Sequence, residues 1–162
     1  MAKIIEPVKK YMKHRLEAQV VKHPLRRFDH QHRIYYGKPL DINNPQTMYE
    51  KICYIEFCCD TSLLTRCTDK VAVRDYLTER GLGEYLNPVY HVFDSEPTVD
   101  ELDKAMPESC VVKTANSGGG ESVFVVNKKE SGTAADIYPK LLEAINDNYG
   151  LRTGQPHYIG IK

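Results

Sequence analysis

Residues 109–127 read Ser-Cys-Val-Val-Lys-Thr-Ala-Asn-Ser-Gly-Gly-Gly-Glu-Ser-Val-Phe-Val-Val-Asn. Two runs rich in valine, residues 110–114 and 122–126, have an ordinary strand length and are predicted as strands. Between them lie Asn116, Ser117, Gly118, Gly119, Gly120 and Glu121. Three consecutive glycines cost backbone entropy, so they predict a loop that moves or brings its backbone close to something. N–H groups unshielded by side chains suit phosphate oxygens, and so does the ammonium of Lys113 just upstream. The loop is not of the Walker type: G-x-x-x-x-G-K-[ST] is absent, and the glycines lead into a strand instead of a helix. The dinucleotide fingerprint G-x-G-x-x-G is absent too. The competing account is a floppy hairpin connection beside an ordinary surface lysine.

Working outward, the chain of 162 residues is long enough to bury a core. Its 22 Lys/Arg balance 22 Asp/Glu, so neither disorder nor nucleic-acid binding is favoured. The charge is uneven. Residues 1–40 carry 10 Lys/Arg against 3 Asp/Glu, and residues 41–162 carry 12 against 19. A basic leading segment suits an anionic lipid surface, as a peripheral contact, or an acidic partner; a solvated face is the plainer account. No run of 18 apolar residues is present, so no transmembrane segment is expected. Lys9, Lys10, Lys13 and Arg15 interrupt any secretory h-region. Five cysteines without C-x-x-C spacing predict reduced thiols and a cytoplasmic setting. His30 and His32 form an H-x-H pair that lacks the further ligands a tetrahedral metal site needs, so no metal site is assigned.

Residues 3–21 predict an amphipathic helix, with Ile5, Val8, Met12, Leu16 and Val20 as a stripe packed on a core. His23-Pro24 ends it. Residues 24–46 are mixed and basic, with turn signals at Gly37-Lys38-Pro39 and Asn43-Asn44-Pro45. Thr47-Met-Tyr-Glu50 is a capping box opening a helix whose apolar face is Met48, Ile52, Ile55 and Cys59. A second helix is predicted from about residue 68 to residue 80, with Asp69 in its first turn and Arg74 on the same face as Lys70, where it either extends an anion site or pairs with Asp75 or Glu79. Residues 88–93 predict a strand. Thr98-Val-Asp-Glu101 opens a short helix that Pro107 closes. Residues 131–148 predict a last helix, with Ile137, Leu141, Leu142 and Ile145 inward and its regular part starting near Ile137 because of Pro139. A polar tail follows. The order predicts an α+β fold, helix-rich first, with an antiparallel strand–loop–strand at its centre and a packing helix behind it.

Four blocks together carry a resemblance. Asn44-Pro45-Gln46-Thr47-Met48-Tyr49-Glu50-Lys51, then Thr68-Asp69-Lys70-Val71-Ala72-Val73-Arg74-Asp75-Tyr76, then Glu84-Tyr85-Leu86-Asn87-Pro88 with Phe93-Asp94-Ser95, then Val111-Val112-Lys113 with residues 117–120 resemble, in order and spacing, the blocks of the TupA-like ATP-grasp family. The match spans about residues 33–130. The resemblance implies an ATP-grasp-like fold, with a helical N-terminal region over residues 1–66 and the first ATP-grasp subdomain over residues 67–162, incomplete and stopping before the metal-binding half. It implies ATP as the nucleotide, Lys70 near the α-phosphate, Lys113 also on the phosphates, and Ser117, Gly118, Gly119 and Gly120 in the flap over them. It implies a ligase that activates a carboxylate as an acyl phosphate for attack by an amine or another nucleophile. The setting would be bacterial cell-surface polysaccharide biosynthesis, with a sugar- or uronate-containing acceptor.

Two departures stand out. The family's loop commonly reads His-Gly-Ser-Gly-Gly, and here Asn116 stands where the histidine would be. Mg2+ is expected for the family, yet no matching pair of oxygen ligands is found in these residues, and no catalytic residue is assigned. The chain is therefore read as an N-terminal portion whose other half comes from a continuation or a partner chain. The first alternative is a non-catalytic nucleotide-binding or interaction module. The second is a glycosyltransferase, although Asp100-Glu101-Leu102-Asp103 is a capped helix start and no D-x-D metal motif.

Overall fold

The computed structural model describes residues 2–130 and 132–161, with the side chains of residues 2–6, 9 and 10 outside the description. In chain order it contains α1 (Ala2–Lys22), α2 (Arg26–Tyr36), α3 (Met48–Cys58), α4 (Ser62–Thr68), α5 (Ala72–Glu79), a 3-10 turn (Gly83–Tyr85), α6 (Val99–Ala105), β1 (Ser109–Lys113), β2 (Val123–Asn127), α7 (Ala134–Ile145), α8 (Tyr149–Thr153) and α9 (Pro156–Ile159). The fold is α+β: helix-rich, with a two-stranded antiparallel sheet. The chain divides into two compact units, one holding the residues up to Leu63 with Tyr149–Gly160, the other holding Leu64–Asn148.

In the second unit, β1 and β2 pair from Ser109 opposite Asn127 to Lys113 opposite Val123. Alternate residues point to opposite faces. Val112, Phe124, Cys110 and Val126 face a core completed by Leu102 and Met106 around α6, and by Ala134, Ile137, Leu141 and Ile145 of α7. Fully burying one such side chain stabilises by about 1.5–3 kcal/mol. The other face carries Val111, Val123, Val125 and Lys113, all exposed, with Val125 at 74%. The hairpin thus lies within one residue of its predicted bounds at either end.

Both predicted capping boxes form. Thr47 Oγ1 accepts from Glu50 N at 3.2 Å while Glu50 Oε2 accepts from Thr47 N at 2.7 Å. Thr98 and Glu101 repeat the pattern at 3.3 and 2.8 Å. Each satisfies N–H groups that a helix start leaves unbonded. A third box was not foreseen. Thr133 N donates to Asp136 Oδ2 at 2.7 Å, so α7 starts at Ala134 and not near Ile137. Pro139 sits inside the helix, where its missing N–H leaves the Ala135 carbonyl without its usual partner. Ser131, where the helix was expected to begin, lies outside the described residues.

Other expectations need correction. The helix predicted over 68–80 is α5, which starts only at Ala72; α4, ending at Thr68, was not foreseen, and a turn at residues 69–71 separates the two. Asp69 makes the break: its Oδ1 accepts from Val71 N at 2.8 Å and Ala72 N at 3.2 Å, which starts a new helix. Residues 88–93 form no strand; Pro88 offers no N–H, Val89, Tyr90 and Val92 stay exposed, and only Phe93 reaches the core. Helix α1 spans its predicted range, yet Val8, Met12 and Leu16 are exposed instead of packed, and the Ile5 side chain lies outside the description.

The first unit buries a different set from the expected one. On α3, Met48, Ile52, Ile55 and Cys59 face solvent, with Met48 73% exposed. The inward face is Tyr49, Glu50, Cys53, Glu56 and Phe57. Aromatic packing decides this: Phe28 of α2 meets the ring of Phe57 edge-on at 5.0 Å and lies 6.5 Å from that of Tyr49. Helix α2 lies in the stretch read only as mixed and basic, and α8 and α9 lie in the supposed polar tail. Gly150 lets those last two turns meet: a Cβ there would stand 2.6 Å from the backbone N of Ile159.

Candidate functional site: the lysine–glycine loop

The loop joining β1 to β2 is fastened at its stem. Thr114 and Ser122 are buried, and their hydroxyls lie 2.8 Å apart. Ser117 Oγ joins them, accepting from Thr114 Oγ1 at 2.9 Å and sharing a hydrogen bond with Ser122 Oγ. Asn116 Nδ2 donates to the carbonyl of Asp147 at 3.3 Å, while its Oδ1 is enclosed and has no hydrogen-bond partner among the described residues. Beyond the stem the chain turns on glycine. Gly119 has φ 67° and Gly120 φ 79°, a left-handed region that favours residues without a Cβ. A Cβ at Gly120 would meet no atom within 4 Å, so backbone conformation, not crowding, requires that glycine.

Lys70 comes to this loop from the turn between α4 and α5. Its Nζ donates to the carbonyl of Ala115 at 3.3 Å and to that of Ser117. Lys113, at the end of β1, is exposed, and among the described residues its ammonium has no hydrogen-bond or ion-pair partner. The two cations share one neighbourhood. Partial burial lowers the proton affinity of Lys70 below the ordinary lysine range, and the like charge of Lys113 lowers it further. The structure therefore brings Lys70, Lys113, Ser117 and the stem of the glycine loop together. Arg74 goes elsewhere: it donates to the carbonyl of Asn87 at 2.8 Å instead of pairing with Asp75 or Glu79. Glu79 instead pairs with Arg66 at 2.6 Å.

An anion is the ligand that neighbouring ammonium groups suit, and backbone N–H groups of an exposed glycine loop add to that preference. Among the described residues no group of three or more His, Cys, Asp or Glu side chains is placed to hold a metal ion. Polyphosphate therefore fits the residues present, whereas a protein-held Mg2+ finds no ligand set among them.

Two ionisable pairs in the first unit were missed by sequence reasoning. His32, fully buried, donates from Nδ1 to Lys38 O at 2.9 Å, and its Nε2 lies 3.3 Å from Glu50 Oε1. A carbonyl only accepts, so Nδ1 carries a proton. Glu50 is held well into its ionised form, at about 2, chiefly by the Thr47 N–H, with Gln46 N–H, the Thr47 hydroxyl and Lys38 adding to it against the cost of burial. The capping box gave half of this signal; nothing in the sequence tied Glu50 to His32. The second pair is Glu56 Oε1 and His157 Nδ1, 3.9 Å apart, too far for a hydrogen bond. Burial pushes Glu56 up and His157 down, so each favours its neutral form. Elsewhere in that unit, an open depression of ≈ 480 Å³ is lined by Lys22, His23, Pro24, Leu25 and Arg26.

No helix among the described residues is long and apolar enough to cross a membrane. Comparison with protein-family models, with curated proteins and with solved structures finds no match to this chain, so the reading of the lysine–glycine loop rests on its own geometry.

Proposed function

We propose that the chain binds the polyphosphate of a nucleotide at the lysine–glycine loop, with Lys113 as the principal cation. The observation that carries this reading is the nearness of Lys70 to Lys113, which has no acidic partner among the described residues, beside a loop whose Gly119 and Gly120 are exposed. Phosphoryl groups call for charge neutralisation and positioning, and this loop offers both. By its four sequence blocks the nucleotide is ATP and the reaction class that of an ATP-grasp-type ligase in cell-surface polysaccharide assembly. Mg2+ would then arrive with the nucleotide, held largely by phosphate and water oxygens.

Titrating Mg-ATP while following thermal unfolding tests the binding. A hundredfold excess over the dissociation constant raises stability by about 2.7 kcal/mol, and Lys113→Ala removes most of that rise. A midpoint that ignores Mg-ATP sinks the reading. A module that binds without catalysis is the second reading, favoured by the exposed apolar face of the hairpin at Val111, Val123 and Val125. Phosphate release above background from the purified chain would exclude it.

A further inference from the structure

We propose that Lys70 is a positioning residue that clamps the stem of the glycine loop, leaving contact with the anion to Lys113. This rests on the loop being an anion site and departs from the simpler expectation that both lysines touch phosphate. An ammonium group has three N–H donors and no acceptor. Lys70 spends two of them on the carbonyls of Ala115 and Ser117. Such a part-buried charge is costly unless it is bonded, and the carbonyls supply the bonds.

The rest of the stem is fixed in the same sense. The Thr114, Ser117 and Ser122 hydroxyls interlock, and Asn116 is tied to Asp147. The base of Lys70 is equally fixed. Asp69 Oδ1 holds the N–H groups of Val71 and Ala72, and the Asp69 carbonyl accepts from Val73 N at 3.0 Å. Lys70 therefore joins a rigid turn to the loop stem, across 45 and 47 residues of sequence. Gly119 and Gly120, beyond the clamp, have no side chains by which to be fastened. Clamping the stem while leaving the tip to glycine sets where the tip's N–H groups lie relative to the Lys113 ammonium.

The test measures amide hydrogen exchange at Glu121 and Val123, whose N–H groups bond back to the carbonyls of Gly118 and Gly120, in the ligand-free protein, together with calorimetric titration of inorganic triphosphate. Lys70→Gln is expected to speed exchange at these two amides by about tenfold, the worth of lost charge-assisted hydrogen bonds. Exchange at Val112 and Val126 stays at the wild-type rate, which separates a local effect from unfolding. Lys70→Arg, which keeps a cation and its donors, restores the protection. Lys113→Gln leaves exchange unchanged and weakens triphosphate by about tenfold. Lys70→Met, which keeps an unbranched apolar stem, repeats the first measurement should the glutamine variant unfold. Unchanged exchange in a folded Lys70 variant overturns the clamp, as does equal acceleration in Lys113→Gln. If the wild-type protein ignores triphosphate, the anion site falls, while the exchange rates still decide whether Lys70 holds the stem.

Discussion

The two units solve burial in opposite ways. The second closes over an apolar cluster, Leu102, Met106, Val126, Ala134 and Leu141, and carries Lys70 and Lys113 beside its glycine loop. The first buries His32, Glu50, His157 and Cys53, with aromatic rings filling the space between. Apolar burial is insensitive to pH and grows with area, whereas buried ionisable groups depend on every partner they keep. The lesson is that two like charges lie near each other in the unit whose backbone is held by an apolar core.

The sharpest way to break that contrast is to empty the apolar core. Leu141→Ala should cost about 2–5 kcal/mol in denaturant unfolding, because the lost transfer energy adds to a cavity among packed neighbours. A loss within the range of surface substitutions would mean that the cluster does not support the hairpin. Next in size is Gly150→Ala, in the first unit. The new Cβ falls 2.6 Å from Ile159 N and 2.9 Å from Gln155 O, both backbone atoms, so α8 and α9 must separate. An overpacking cost of about 1–3 kcal/mol is expected from the same unfolding curves. A stability equal to wild type would show that these turns are held loosely.

The smallest effect sharpens the contrast through its sign. The folded value of Glu56 is raised above the ordinary 4.5 by burial, so its stabilising contribution is present below that value and is lost as pH rises through the folded one. Glu56→Gln should therefore raise the thermal midpoint at neutral pH and leave it nearly unchanged below about pH 4.5. His157 acts in the opposite direction. Burial lowers its folded value below 6.5, so stability falls as acidification passes 6.5 in the unfolded chain. A midpoint for Glu56→Gln that drops at neutral pH would show that the carboxylate is bound as an anion and that the first unit depends on it.

Local chemistry was legible wherever neighbours in sequence suffice. Thr47-x-x-Glu50 and Thr98-x-x-Glu101 need only one turn of helix to form their bonds, and both were read correctly. The valine runs gave the hairpin because the strand preference of β-branched residues is a local property. The reading failed where a contact spans many residues. Periodicity offered Met48, Ile52 and Ile55 as the inner face of α3, yet the rings of Phe28 and Phe57 turned the other face inward. Asp69 was read inside the first turn of its helix, and it lies just before α5, where its carboxylate accepts from Val71 N and Ala72 N.

The same division holds for the site. The sequence by itself determined that a lysine on a valine strand would precede a loop of three glycines, because strand propensity and glycine's freedom are properties of the residues themselves. Only the tertiary structure decided what Lys70 does. Its ammonium meets Ala115 and Ser117 through folding of the whole second unit, and no local pattern encodes a bond between a turn and a loop 45 residues apart.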